Sequence, residues 1–207
     1  GTLDATFGVG GKVTTDFAAN QDMAWAVAVQ ADNKIVAAGL SQSATSVDFA
    51  LARYNSDGSL DSSFGADGNG ELRTVFPGGI SRIYAIAIQD DQKIVAAGRV
   101  ANTSNGYDLA LARYNTDGTL DTTFGMNGLI TTDFGAGETV RALAIQMDHK
   151  IVAAGYNGDF LLVRYNADGS LDTTFGPDGT GQVTTDFADN FDLIQSLAFQ
   201  TDQKIVA

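Results

Sequence analysis

The chain has 207 residues, a formal net charge of −13 at pH 7 and no cysteine, which excludes disulfides and thiolate metal sites. Its 12 basic residues form no cluster, and the negative field would repel phosphate, so nucleic acid is not an expected partner. No apolar run approaches the roughly 20 residues of a membrane helix, so membrane insertion is not expected either.

The first strands of the chain can be predicted from residue types and spacing. Residues 13–17 (VTTDF) are rich in β-branched side chains, which favour an extended strand. Residues 26–30 form a compact apolar strand, and residues 34–39 return antiparallel to it after a short Ala-Asp-Asn turn. A variable segment at residues 40–48 then leads to a strand at 50–54, in which bulky and small residues alternate.

This order of elements repeats along the whole chain. The phrase KIVA begins at Lys34, Lys93, Lys150 and Lys204, in steps of 59, 57 and 54 residues. In three copies it is followed by ALARYN or LLVRYN and then by a DGSLD or DGTLD turn. A period of this length built from short strands indicates stacked all-β modules. We place the modules approximately at residues 1–57, 58–117, 118–168 and 169–207.

Each module contains four predicted antiparallel strands, which is the pattern of a β-propeller blade. The apolar strand with small residues is the innermost one, because small side chains suit the crowded central axis. The outer strand is the VTTDF-like segment, predicted at residues 13–17, 72–76, 130–134 and 183–187. The sequence therefore predicts an all-β propeller of four-stranded antiparallel blades, about four in this chain, with the last blade incomplete.

The last predicted blade stops inside its second strand, at Ala207. Two explanations stay open: the array continues in a longer chain, or another subunit supplies the missing strand and produces a ring or a filament. A bare strand edge is a template for pairing that proteins rarely leave exposed. In a closed ring, residues 13–17 would join the last blade as its outer strand.

The combined motif AVAVQxDxKIVAAG followed by FALARYNxDGxLDxxFG is highly specific. It resembles the bacterial delta-60 repeat, which is grouped as a β-propeller domain of unknown function. The resemblance covers essentially the whole chain, in three full copies and one incomplete copy. It implies a secreted or cell-surface protein, often a large one that also holds adhesion or sorting domains, and it implies no catalytic residues.

The recurrent Asn-x-Asp-Gly loops are candidates for a calcium site. Asn55, Asp57 and Asp61 surround Gly58, and the same residue types recur at 115–121 and 166–172. Such oxygen ligands suit Ca²⁺, but the glycine is at the fourth loop position, whereas an EF-hand needs it at the sixth. The alternative is an Asx-type turn, in which these side chains bond to local backbone amides. Apart from this calcium alternative, no cofactor is expected.

Other recurrent charges are expected to serve the fold. One position of the third strand is always arginine, and an aspartate stands just before that strand: Arg53, Arg113 and Arg164 with Asp48, Asp108 and Asp159. Pairing of each arginine with a carboxylate of its own or the adjacent blade would explain this recurrence. The only histidine, His149, stands in a turn and is expected to be a turn residue. With one histidine and no cysteine, Ser-His-Asp or Cys-His catalysis and multi-histidine metal sites are close to excluded.

The segments that differ between modules are the best candidates for recognition. They follow KIVAAG at residues 40–48, 99–108 and 156–159, and they connect blades at residues 18–24, 77–82, 135–140 and 188–193. Both sets are expected at one end of the propeller, with the DG turns at the other. Four aromatic residues lie on or beside that end: Trp25, Tyr84, Tyr107 and Tyr156. They would stack on a sugar or anchor a protein; alternatively, Trp25 and Tyr84 pack between blades.

The sequence thus predicts a non-enzymatic extracellular scaffold or interaction module. It would bind a protein or glycan through the variable segments, or assemble through its open blade edge. One alternative is a subunit of a surface layer or filament, stabilised by calcium. Another is a hydrolase or lyase with carboxylates in the central channel. The predicted innermost strands AVAVQ, AIAIQ, ALAIQ and SLAFQ contain no acidic residue, which argues against the enzyme.

Overall fold

The computed structural model describes residues 1–17, 21–103, 106–135, 137–187 and 191–207. These residues form β-strands and no helix, so no helix among them is long and apolar enough to cross a membrane. Three complete sheets follow one another along the chain, and each has four antiparallel strands in sequential order.

The strands are numbered in chain order. The first blade consists of β1 (Gln21–Val29), β2 (Ile35–Gln42), β3 (Val47–Tyr54) and β4 (Glu71–Thr74). The second consists of β5 (Ser81–Ile88), β6 (Ile94–Ala101), β7 (Tyr107–Tyr114) and β8 (Leu129–Thr132). The third consists of β9 (Thr139–Ile145), β10 (Ile151–Tyr156), β11 (Phe160–Tyr165) and β12 (Gln182–Thr185). The fourth sheet contains β13 (Ala198–Phe199) and β14 (Ile205–Val206).

These sheets confirm the predicted four-stranded antiparallel blade, and the fourth, two-stranded sheet is the incomplete one. The outer strands predicted at residues 72–76, 130–134 and 183–187 correspond to β4, β8 and β12. Each blade begins at its innermost strand, which lies inside one sequence module, after the segment of the outer strand. It therefore takes three strands from one repeat and its outer strand from the next.

Residues 13–17 form no strand, contrary to the prediction, although they lie where an outer strand would lie. Thr15 Oγ1 is 2.6 Å from the hydroxyl of Tyr54, and the equivalent distance from Thr74 to Tyr114 is 2.8 Å. The segment thus replaces the outer strand of a blade preceding the first. Residues 13–17 do not pair with β13 and β14, which form a two-stranded sheet. In the complete blades the outer strand pairs with the third strand, not with the second.

Successive blades pack face to face through alternating side chains. The first interface joins Val36, Ala38, Phe49 and Leu51 to Ile94, Ala96, Ala110 and Ala112. The second interface joins Val95, Ala97, Leu109 and Leu111 to Ile151, Ala153, Leu161 and Val163. Because successive residues of a strand point to opposite faces, the middle strands are buried on both sides, which explains their continuous apolar sequence.

The innermost strand of each complete blade has a β-bulge, and the extra residue is Trp25, Tyr84 or Arg141. A bulge turns the extra side chain out of the regular pleat. A glycine that ends the KIVAAG phrase is directly opposite. A Cβ on Gly98 would lie 1.9 Å from the carbonyl oxygen of Arg82, so the bulge requires glycine at this place.

The variable segments are shorter as loops than predicted. The loop expected at residues 40–48 is wrong in extent, because β2 continues to Gln42 and β3 begins at Val47. These two residues pair in register, so most of the variable residues belong to an extended hairpin. Parts of the segments predicted at 18–24, 99–108, 135–140 and 188–193 lie outside the described residues.

Candidate functional site

The blades have two chemically different ends. The DG end carries the turns at residues 55–59, 115–119 and 166–170, and the variable end carries the hairpins β2–β3, β6–β7 and β10–β11. Residues that recur in every repeat are concentrated at the DG end, so we describe that end first.

An arginine, an aspartate and a lysine form one ion-pair cluster at the DG end of each complete blade. In the first blade, Asp61 Oδ2 is 2.7 Å from Arg53 Nε and 2.8 Å from Lys34 Nζ. Arg53 also donates a hydrogen bond to the carbonyl of Thr116 in the next blade and lies 4.4 Å above the ring of Phe64. The predicted pairing of the arginine with a carboxylate is confirmed, and the cluster ties neighbouring blades together.

The aspartates of these clusters stay charged. Burial by itself would raise the pKa of Asp121, but hydrogen bonds from Lys93 and Thr123 and the charge of Arg113 hold that pKa well below its usual range. The pKa of Asp61 is lowered by the equivalent contacts. Each aspartate pairs with the arginine and the lysine of its own blade, so these charges stabilise the fold.

The Asn-x-Asp-Gly loops are tight turns. Asp57 Oδ1 accepts hydrogen bonds from the backbone amide and the hydroxyl of Ser59, at 2.9 and 2.7 Å, and these bonds lower the pKa of Asp57. The turns at Asp117 and Asp168 repeat this geometry. The structure thus shows the contacts of the predicted Asx-type turn. His149 lies in a β1–β2-type turn with φ of 64°, close to the values of its counterparts in the other repeats.

Carboxylates converge elsewhere, between the outer strand of one blade and the start of the next. Two groups offer carboxylate oxygens that all lie within 4.8 Å of one another: Asp108, Asp133 and Glu138, and Asp159, Asp186 and Asp192. Carboxylate oxygens are the ligands that Ca²⁺ prefers. Among the described residues, these groups are where a calcium ion could be held, and the predicted loops at 55–61 are not among them.

The variable ends of the three complete blades hold a cluster of aromatic and arginine side chains around Tyr84. The Tyr84 ring centroid is 5.1 Å from that of Trp25. The guanidinium carbons of Arg141 and Arg99 are 4.4 and 5.7 Å from the same ring centre. Arg99 also lies 3.8 Å above the ring of Tyr107. The bulges place Trp25, Tyr84 and Arg141 here, because they turn these side chains out of the blade faces.

A third arginine stands beside Arg99. Arg82 is its direct cross-strand partner in the antiparallel pair β5–β6, and so both side chains are on the same face of the sheet. Arg99 Nη1 reaches across to Thr139 Oγ1 on the third blade, at 3.5 Å. We call Arg82, Arg99 and Arg141, with Trp25, Tyr84 and Tyr107, the arginine–aromatic cluster.

The arginine–aromatic cluster is not part of the repeat. At the positions of Arg82 and Arg99, the first blade has Met23 and Leu40, and the third has Thr139 and Tyr156. The bulge position is tryptophan, tyrosine and arginine in the three blades. These residues therefore cannot be explained by the needs of a blade, in contrast to the charges of the DG end.

The three cluster arginines form no ion pair with any residue that the structure describes. Eight of the twelve lysines and arginines form ion pairs between described residues, and none of the three does. The Nε atoms of all three are buried without a hydrogen-bond partner in the described part of the chain. The expectation that basic residues form no cluster is wrong, because β-strand pairing brings together arginines that are far apart in sequence.

The charge of the arginine–aromatic cluster acts on Tyr156 at the end of β10. Burial would raise the pKa of Tyr156, but hydrogen bonds from Thr139 and Arg141 and the charges of Arg141 and Arg99 together lower it below its ordinary value. The Tyr156 ring also contacts Phe191 edge-on, at 4.8 Å between centroids. The cluster is thus a local positive region in a chain of strongly negative net charge.

The aromatic residues were predicted at this end, and the arginines were not. Both readings of Trp25 hold in part, since its ring stacks on Tyr84 of the next blade and 43% of the residue remains exposed. The arginines leave a signal in the sequence that only an alignment of the repeats reveals: they stand where the other copies have neutral side chains.

The first blade has an open apolar face. Ile35, Ala37, Ala50 and Ala52 line a groove of about 340 Å³, which residues 7–17 cover only in part. Their counterparts on the second blade are buried against the first blade. Val27 and Val29 beside this groove are 68% and 63% exposed.

The repeat geometry agrees with a comparison to protein families. The model of the DUF5122 β-propeller, a domain of unknown function, matches residues 30–64, 89–124 and 146–175. Three repeats of the chain thus match this β-propeller family. Each matched stretch runs from the first hairpin of a blade through its DG turn. The bulge residues Trp25, Tyr84 and Arg141 lie outside the matched stretches. No curated protein sequence matches this β-propeller.

Proposed function

We propose that this β-propeller is a non-enzymatic interaction module, secreted or held on a cell surface, that binds a glycan or a protein through its variable end. One observation supports this most strongly. The recurrent charges of the DG end are matched within the fold, whereas the unmatched arginines and the exposed Trp25 ring gather at the variable end, outside the repeat pattern. Recognition residues commonly lie on such variable parts of a rigid scaffold.

A binding role is favoured over catalysis by the chemistry of the innermost strands. The segments AVAVQ, AIAIQ, ALAIQ and SLAFQ contain no acidic residue that would act as a general acid or base in the channel. Asp22 lies at the start of β1, outside these segments, and its Oδ2 accepts a hydrogen bond from the backbone amide of Phe17. The extracellular location rests on the resemblance of the repeats to the delta-60 type. The absence of cysteine is compatible with that location and does not decide it.

Binding can be tested with the single tryptophan as an internal probe. The protein would be screened on an immobilised glycan panel, and each hit would be titrated while the fluorescence of Trp25 is recorded. Variants are compared by their retention on the immobilised glycans, because Trp25→Ala removes the fluorescent probe. We expect Trp25→Ala to abolish or strongly weaken binding, and Met126→Ala, an exposed residue near the DG end, to leave it unchanged. Binding that survives Trp25→Ala, or that is lost in the Met126 control, would argue against the variable end as the site.

A second proposed role is assembly through the open face of the first blade. The apolar groove and the exposed Val27 and Val29 favour it, because exposed faces of this kind mark interaction sites. Light scattering would measure the mass of the protein with and without EDTA. The chelator tests whether calcium, bound by the two carboxylate groups, stabilises a filament or surface layer. Val27→Lys should return an oligomer to a monomer, and Met147→Lys, on an exposed turn, should not. A monomer in every condition would exclude this role.

A further inference from the structure

We propose that the arginine–aromatic cluster binds the carboxylate of an acidic saccharide, with the sugar ring against Trp25. This inference rests on the proposed binding function of the variable end and goes further by naming the class of ligand. It follows from three properties of the cluster: uncompensated charge, unsatisfied donors and an exposed ring beside them.

The first property is charge. Arg82 and Arg99 are direct cross-strand partners, and like charges at such positions destabilise a sheet. Arg141 adds a third positive charge from the next blade, through the bulge that brings it to the Tyr84 ring. A bound anion between them would remove this repulsion. Charges are screened beyond about 8 Å at physiological salt, so an anion in the site responds mainly to the charged groups in its own neighbourhood. These are the three arginines, with the carboxylates of Asp108 and Glu138 beside Tyr107 and Thr139.

The second property is the set of available donors. A guanidinium offers five N–H groups in a planar fork that matches the two oxygens of a carboxylate. The Nε of each cluster arginine is buried and has no partner among the described residues. Arg99 and Arg141 are held in place by the rings of Tyr107 and Tyr84, so their forks are fixed before a ligand arrives. Fixed groups lose less conformational entropy on binding.

The third property is the exposed aromatic surface. Trp25 remains 43% exposed beside Tyr84, the ring that both Arg99 and Arg141 approach. A flat indole surface suits a ligand that is itself a rigid ring with an apolar face. A sugar acid presents such a ring together with its carboxylate, so one ligand carries a group for each part of the cluster. An acidic peptide would satisfy the arginines but leave the ring without a specific partner.

The inference is tested with trigalacturonate, its neutral methyl ester and an oligoglutamate peptide, each titrated by calorimetry into the 207-residue protein. We expect trigalacturonate to bind and its ester to bind at least roughly tenfold more weakly, since hydrogen bonds to a charged group are the strong ones. Arg82→Gln and Arg141→Gln should each weaken trigalacturonate binding by a similar factor. Arg73→Gln, which removes an arginine elsewhere on the surface, should not.

Arg82→Gln is the decisive variant, because Arg82 makes no ion pair or ring contact with the described residues. Its removal relieves repulsion with Arg99, so the melting midpoint should stay equal or rise while acid binding weakens. A purely structural arginine would show the opposite, a lower midpoint with unchanged binding.

Three results would overturn the inference alone: equal binding of acid and ester, tighter binding of the peptide, or no binding of trigalacturonate while another glycan still needs Trp25. If instead no glycan hit depends on Trp25, the proposed binding of glycans at the variable end fails as well.

Discussion

The ion-pair cluster of the second blade allows a quantitative prediction for Asp121→Asn. Asp121 is 4% exposed, and its Oδ2 is 2.7 Å from Arg113 Nε and 2.9 Å from Lys93 Nζ. Its other oxygen accepts two hydrogen bonds from Thr123. Asparagine keeps the shape of the side chain but removes the charge, and so the buried Arg113 loses its counter-ion.

The expected loss in the free energy of unfolding is about 3 kcal/mol. Removal of one partner of a buried ion pair costs about 3–5 kcal/mol, because an uncompensated charge remains inside. The lower figure applies here because the side chain of Lys93 is 28% exposed and water can solvate its ammonium group. A domain is usually stable by only about 5–15 kcal/mol, so this loss is large enough to measure.

Urea unfolding of the wild type, Asp121→Asn and the control Asp91→Asn would measure it. Asp91 faces the same Lys93 at 3.8 Å, but its side chain is 58% exposed, so the control should lose less than about 1 kcal/mol. The pH dependence has a definite sign, because the folded pKa of Asp121 lies below that of the unfolded chain. Its contribution is fully present above about pH 4 and is lost as the pH falls toward the folded pKa. Equal losses for the two variants at pH 7, or a difference that does not shrink in acid, would refute this reasoning.

Two further predictions concern the bulge and the arginine–aromatic cluster. Gly98→Ala should lower the free energy of unfolding by at least about 2 kcal/mol in the same assay, because its Cβ would meet the carbonyl oxygen of Arg82 at 1.9 Å; an unchanged midpoint would mean that the bulge is absent. Arg141→Gln should raise the pKa of Tyr156 toward its ordinary value near 10. Alkaline titration of tyrosinate absorbance measures this pKa, and an unchanged transition would mean that Arg141 does not act on the Tyr156 hydroxyl.

The repeat made most of the fold predictable. A period that returns the same strand and turn signals three times leaves few arrangements, and the hairpins, the outer strands β4, β8 and β12 and the incomplete last sheet follow from it. Residues 13–17 have the same sequence signal and form no strand, because a strand needs a hydrogen-bonded neighbour and no described strand pairs with them. The loop at 40–48 was overestimated because variable sequence does not prevent backbone pairing.

The partner of each repeated arginine could be predicted only in part. Arg53 was expected to bind a carboxylate, and it does, but Asp61 after the turn is the partner, not Asp48 at the start of β3. Both aspartates recur at fixed distances from the arginine, and sequence distance alone does not distinguish them. The turn decides, because it folds Asp61 back along the strand that carries Arg53, as their backbone hydrogen bond of 2.9 Å shows.

The sequence by itself determined the module, its four strands, the DG turns and the aromatic character of the variable end, because these are local patterns that recur. Tertiary structure alone decided where Arg82, Arg99 and Arg141 meet. They come from two blades and reach one place only through strand pairing, the Arg141 bulge and the packing of one blade on the next. The position of such a site depends on strand register and blade packing over many residues, and no short stretch of sequence determines these.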